Sequence, residues 1–341
     1  CDGHERRSPS ILFTNEVDLE KVIAVLLAAG VPRIFTRNRR LSLNIQRKLL
    51  LDITEKLSCI QKEWLEEGIE FIRKQFFYLQ LEHLLSIPGE SGNEAGIRRF
   101  VIEKLRHFVD YMTIDYSGNL LAKKTYGTGH GPTILLNAHL DTVDWIQPDR
   151  TIVKNGPIWS SDKWILGADD RAGVAVLLET AQRLQSPGFN GRVKFIFTVE
   201  EEIGLIGARS VDETFLWDVD AAIVVDRRGT GDIVTSCGGY QSFCHENYGN
   251  FFEEIAASKG LPGWKTTIGG SSDTRIWAEH GIQSVNLSAG YMNEHTSEET
   301  LNIEACYNTL TLITEVFNQA RNLQRTLRQI DILENVSSEV R

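Results

Sequence analysis

The sequence predicts an α/β fold: a mixed, largely parallel sheet with helices on both faces, preceded by an N-terminal helical segment. Three observations lead there. Short, nearly continuous apolar runs at 133–137, 193–198, 221–225 and 284–287 have the length and texture of buried strands. Stretches of helical spacing at 172–184 and 303–323 alternate with them, the pattern that builds a sheet covered by helices. The chain has 341 residues, 42% of them hydrophobic, enough for one large core with an appendage or for two modest domains.

Taken in order, residues 1–70 read as a separate helical segment of unknown role, and 71–341 as the main domain. Residues 17–29 (VDLEKVIAVLLAA) carry helical apolar spacing and stop at Gly30, a usual residue just past a helix. The basic patch of Arg33, Arg37, Arg39 and Arg40 leads into a second amphipathic run, 43–60. A solvated helical cap or a contact between copies, hence a homo-oligomer, explains this patch better than nucleic acid does. A helix through 79–85 ends near Pro88, and Ser91-Gly92-Asn93-Glu94 opens another to about Val109. Residues 113–123 form a hairpin turning at Ser117-Gly118-Asn119. The buried strands and their helices follow.

Bulk properties narrow the function. A net charge of −10 excludes a nucleic-acid partner, which needs clustered Lys and Arg. No run of about eighteen apolar residues exists, so no spanning helix and no membrane partner is expected. The five cysteines (Cys1, Cys59, Cys237, Cys244 and Cys306) are odd in number and widely spaced. That suits a reducing, cytoplasmic compartment better than a disulfide framework. Cys237 and Cys244 lack the close paired spacing of a structural zinc site.

Polar residues gather at the ends of the apolar runs, where sites in such sheets collect. TILLNAHLDTV delivers His139 and Asp141, one residue apart and so on one side of an extended chain; a metal-binding His usually has a carboxylate to orient it. In GADDRAG, Asp169 and Asp170 precede an apolar helix and either cap it or bridge cations. VKFIFTVEEEIGLIGA ends a buried strand in Glu200, Glu201 and Glu202, which repel one another unless cations neutralise them. AAIVVD places Asp226 at a strand end, and NEHTSEE places His295 before the last long helix. Nitrogen and oxygen donors without a thiolate suit zinc, cobalt or manganese.

From about residue 75 onward the sequence resembles the superfamily of co-catalytic di-zinc metallo-exopeptidases. That group includes bacterial leucyl aminopeptidases, tripeptidases, carboxypeptidase G-type enzymes and the large tetrahedral aminopeptidases. NAHLDTV is similar to its H-x-D strand, GADDRAG to its D-D-[KR]-x-G junction and VEEEIGLIGA to its E-E-x-G-x-x-G-A motif. VVD, GGSSDT and NEHTSEE match the remaining landmarks in order. The resemblance implies a zinc exopeptidase-like fold and two divalent metal ions. His139, Asp169 and Asp226 would hold one ion; Asp169, Glu202 and His295 would hold the other. Glu201 would be the general base and Asp141 the partner that orients His139. It also implies a cis Asp169–Asp170 peptide bond and a peptide or amide substrate. Asp rather than Glu at 226 goes with aminopeptidases. Relatives with a second domain insert it between the H-x-D strand and the D-D junction, or between the later carboxylate and the G-G loop. Here those intervals, 141–169 and 226–269, are too short for one, so 71–341 reads as a catalytic domain without an inserted lid. The alternatives are a carboxypeptidase or N-acyl-amino-acid amidohydrolase on the same site, and a non-catalytic binding protein or glutaminyl-cyclase-like relative on the same fold.

Overall fold

The computed structural model describes residues 9–184 and 188–339. The chain divides into two compact units, Cys1–Gln80 and Leu81–Arg341, with the division inside the helix Ile69–Leu85.

Among the described residues the second unit has a nine-stranded sheet. Its order is Gln241–Ser242, Asp232–Cys237, Gln283–Ser288, Ala221–Arg227, Thr133–His139, Gly191–Thr198, Leu120–Tyr126 and Tyr111–Ile114, with Lys265–Gly269 paired to Asp232–Cys237. The four central strands, from Gln283–Ser288 to Gly191–Thr198, run parallel. They are the four apolar runs of the sequence, and Thr133–His139 is buried at every residue. Antiparallel neighbours flank them, so the sheet is mixed with a parallel centre. The expected hairpin is the pair Tyr111–Ile114 and Leu120–Tyr126.

Helices cover the sheet because successive strand residues point to opposite faces. Leu135, Ile196, Ala222 and Val224 pack with Leu205, Ala208, Leu216, Ile276 and Trp277 on one face. Helices Ala168–Arg183 and Ile303–Asn318 pack on each other, the former also on Thr133–His139 and Ala221–Arg227. A second sheet, in the order Tyr291–Met292, Thr300–Asn302, Ile158–Ser161 and Ile152–Asn155, frames the loop that carries His295.

The first unit corrects one expectation. Helices Leu19–Ala28 and Leu50–Ser58 are present, and Gly30 follows the first with φ 107°. The segment is nevertheless not all helical. Strands Ser10–Leu12, Arg40–Leu43 and Ile34–Arg37 form an antiparallel sheet, and Arg37, Arg39 and Arg40 of the basic patch sit on the hairpin Ile34–Leu43, turning where Asn38 has φ 53°. Leu41 and Leu43 point into a core with Leu26, Val31, Ile53, Trp64 and Ile72. Leu41, Leu43 and Ile45 alternate with polar residues, a strand period too short to stand out beside the helix that follows. No helix of the described residues is long and apolar enough to cross a membrane.

Candidate active site

The seven residues to which the resemblance gives roles, His139, Asp141, Asp169, Glu201, Glu202, Asp226 and His295, come together at the carboxyl ends of the parallel strands. His139 ends the central strand and is 1% exposed. Its Nδ1 lies 3.1 Å from the Asp141 carbonyl oxygen and 3.3 Å from Asp141 Oδ1. Its Nε2 faces the other way, 3.1 Å from Asp169 Oδ1 and 3.5 Å from Asp226 Oδ1. The second Asp169 oxygen, Oδ2, is 3.1 Å from His295 Nε2, which is itself 2.9 Å from Glu202 Oε2. One carboxylate therefore presents a different oxygen to each of two imidazoles.

Local backbone sets this up. Asp169 and Asp170 have non-helical dihedrals at the start of Ala168–Arg183, and the bond between them is cis. A Cβ on Gly173, in the next turn, would lie 2.1 Å from the Val225 carbonyl and 2.4 Å from Asp170 Oδ1, so this turn packs directly on the strand end that carries Asp226. After Thr198 the chain bends at Glu200, with φ 53°. Glu201 and Glu202 then line the pocket, while Glu200 does not. A Cβ on Gly207 would meet the Val199 carbonyl at 2.2 Å, which accounts for a glycine there.

Asp141, fully buried, ties three of these residues together. Its Oδ1 accepts the Glu201 N–H at 3.0 Å, and its Oδ2 accepts the Glu202 N–H at 3.1 Å and the Ser91 hydroxyl at 2.7 Å. Burial works to raise its pKa, but the hydrogen bond and charge of His139, with Ser91 and the Glu201 N–H, outweigh that and hold it at about 2. Glu201, Glu202, Asp226 and Asp273 are pushed up, by burial foremost. Burial, then the charges of Asp226 and its neighbours, lifts Glu201 to about 10. Burial foremost also lifts Asp226 to about 7 and Asp273 to about 6. His295 rises to about 10 through its contacts with Asp169 and Glu202. Asp169, like Asp141, is lowered, burial being outweighed by the two imidazoles.

Such a pocket calls for positive charge. One ligand atom each from His139, Asp169 and Glu202 lies within 4.8 Å of the others, and so does one each from His139, Asp170 and Asp226. Glu202 Oε1 is buried without a hydrogen-bond partner. Imidazole and carboxylate donors around an orphaned carboxylate oxygen fit divalent cations such as zinc or manganese.

Glu299, Tyr291 and Arg171 build the site without standing out in the sequence, and Asp170, expected to cap the helix or bridge cations, does more than cap. Glu299 is buried and accepts the N–H groups of Gly167 at 2.8 Å, Ala168 at 2.7 Å and Asp169 at 3.1 Å. Tyr291 donates its hydroxyl to Asp226 Oδ1 at 3.0 Å. Asp170 accepts the His139 N–H at 3.2 Å and the Gly173 N–H at 2.9 Å. Arg171, fully buried, donates to the Leu140 and Ile87 carbonyls.

Clustered imidazoles and carboxylates at the strand ends of a mixed α/β sheet define a metal-dependent hydrolase. Residues 119–319, more than half of the chain, match Peptidase family M28, and the chain belongs to that family. It is a metallo-exopeptidase. An uncharacterised protein of Bacillus subtilis, YqjE, is 26% identical to it over 70% of this chain and 96% of its own. A putative aminopeptidase of Acetivibrio thermocellus is 26% identical over 69% and 96%. The crystal structure of aminopeptidase PepT from Bacillus cereus superposes with a TM-score of 0.63 at 19% identity, covering 73% of this chain and 99% of PepT.

Proposed function

We propose that this chain is an aminopeptidase working with two divalent cations, zinc by the character of the donors, with Glu201 as general base. His139, Asp169 and Asp226 would hold one cation, and Asp169, Glu202 and His295 the other. The observation that carries the reading is Asp169, whose two oxygens address the two imidazoles at 3.1 Å each. Bound there, the cations supply Lewis-acid polarisation of the scissile carbonyl and a lowered pKa for water.

The chain's own groups do the rest. Glu201 Oε takes a proton from the attacking water and delivers it to the leaving amine. Asp141 holds His139 by its Nδ1 side, leaving Nε2 turned to Asp169 and Asp226, with which it would hold a cation. Tyr291 fixes one oxygen of Asp226. Residues 71–341 form the catalytic domain in this reading, without an inserted lid. The 357 positions aligned with YqjE draw on 70% of the 341 residues here, about 239, so that relative has over a hundred positions with no counterpart in this chain.

The choice of peptide end rests on the cations near the pocket. A carboxypeptidase needs a free Arg or His for the substrate carboxylate. Arg227 Nε is 2.9 Å from Asp232, Arg228 Nη2 is 2.6 Å from Glu294, and Arg275 Nε is 3.0 Å from Glu279. Each already has a carboxylate. Paired peptides test the reading on the metal-loaded protein: acetylating the N-terminus should abolish cleavage, and amidating the C-terminus should leave it. The reverse pattern overturns the assignment in favour of a carboxypeptidase or N-acyl-amino-acid amidohydrolase.

A further inference from the structure

We propose that Glu294 is a substrate-binding residue whose Oε2 accepts the free α-ammonium of the peptide. This rests on the aminopeptidase reading and adds the group that recognises the amino end.

The pocket is lined by Asp169, Glu201, Glu202, Asp226 and Glu294 among its acids. The first four belong to the proposed cation and base machinery, which leaves Glu294 as the pocket carboxylate with no part in it. The neighbouring acids Glu200 and Asp273 do not line the pocket. Backbone at Asn293 and His295 is left-handed, with φ 54° and 64°, so the chain bends on both sides of Glu294 and brings it into the same pocket as His295.

Its bonding is one-sided. Oε1 pairs with Arg228 Nη2 at 2.6 Å, while Oε2 is buried with no hydrogen-bond partner. A purely structural Arg–carboxylate pair commonly closes both oxygens in a fork. Here Arg228 is 55% exposed and Glu294 is 11% exposed, so the pairing holds one oxygen toward a solvated partner and leaves the other, buried oxygen for something else. A buried carboxylate oxygen without a partner is unfavourable. An ammonium, with three donors and a full charge, answers both needs. It would be held on the pocket wall beside His295, on the side of the proposed cation pair.

The test uses the full chain loaded with metal, a leucyl anilide and a leucyl dipeptide. Glu294→Gln preserves shape and removes the charge. KM for both substrates should rise about 10- to 100-fold, the size of one lost charge-assisted hydrogen bond. The turnover number should fall less than about threefold and bound metal should be unchanged. Arg228→Gln should move KM less than about threefold, whereas a merely structural pair would give the two variants equal effects. Binding is read separately by calorimetry in a Glu201→Gln background. There the dipeptide should lose affinity on adding Glu294→Gln, and its N-acetyl form should not change. A KM for Glu294→Gln within about threefold of the parent, or equal effects of the two variants, overturns the inference while cleavage of free-amino peptides by the parent leaves the aminopeptidase reading standing. If the parent instead prefers the acetylated peptide, the aminopeptidase reading falls, and this inference with it.

Discussion

Asp141→Asn should separate the parts of the site that act from the one that holds them. The carboxylate accepts four donors: the Glu201 and Glu202 N–H groups, the Ser91 hydroxyl and the Nδ1 side of His139. An amide has one acceptor oxygen. Its NH2 group fits best in place of Oδ2, because the Ser91 hydroxyl can turn and accept from it. The Glu202 N–H is then left facing a donor. One orphaned buried N–H costs roughly 1–3 kcal/mol. The contacts kept at the other oxygen lose their charge assistance, about half of their strength. The depression of Asp141 from 3.8 to about 2 gives an independent scale, about 2 kcal/mol in favour of the charged form. A loss of about 2–4 kcal/mol follows, together with a fall of about 10- to 100-fold in metal affinity as Glu202 and the His139 ring lose their anchor. Denaturant unfolding and a chelator competition measure the two. Ser91→Ala, which removes one hydroxyl donor to that carboxylate, should cost about 1.5–2 kcal/mol, the low end for a hydrogen bond to a charged group. The reasoning is refuted if Asp141→Asn unfolds within about 0.5 kcal/mol of the parent and binds metal as tightly.

Glu201→Gln should keep its cations yet lose turnover by about 10²–10⁴-fold, whereas Glu202→Gln should release a cation more readily to a chelator; metal analysis and kinetics showing the opposite pattern would mean that the roles within the glutamate triplet are misassigned. Gly173→Ala forces a methyl to 2.1 Å from the Val225 carbonyl, so it should destabilise by about 1–3 kcal/mol or more, read as a lower melting temperature. Asp218 bonds the buried Lys194, and although burial opposes it, the Lys194 hydrogen bond and charge lower the Asp218 pKa. A lowered folded pKa gives stability that is complete above the unfolded value of about 3.8 and is lost as pH falls through the folded one. Melting temperatures should therefore drop less steeply below about pH 4 in Asp218→Asn than in the parent; identical slopes would show that this pair contributes nothing to the acid limb.

The parallel centre of the sheet was legible because a strand buried on both faces leaves a continuous apolar run. TILLNA and VKFIFT have nothing else to be. Strands with one polar face were legible only where a turn marked them, as Ser117-Gly118-Asn119 marks the hairpin of Tyr111–Ile114 and Leu120–Tyr126. Asp232–Cys237 and Lys265–Gly269 mix Thr, Lys and Asp with their apolar residues and give no such signal. In the first unit the strands are three or four residues long. At that length neither the period of two nor that of 3.6 is established, and the longer amphipathic run beyond Leu43 dominates the pattern.

The site divides along a similar line. His139, Asp169, Glu202, Asp226 and His295 stood out because each is a polar group closely following, ending or opening an element that is otherwise apolar, and as a set they call for a partner of opposite charge. Residues that hold the site use a different kind of partner. Glu299 looks like half of an exposed Glu pair, but its oxygens are filled by the N–H groups of Gly167, Ala168 and Asp169, some 130 residues earlier. Asp170 looks like a helix cap and does bond the Gly173 N–H, yet its other oxygen reaches back to the His139 backbone. Every backbone position carries an N–H whatever its side chain, so a carboxylate that binds backbone leaves no matching residue in the sequence to betray it. Charge paired with charge can be read along a chain; charge paired with backbone becomes visible only when the chain is folded.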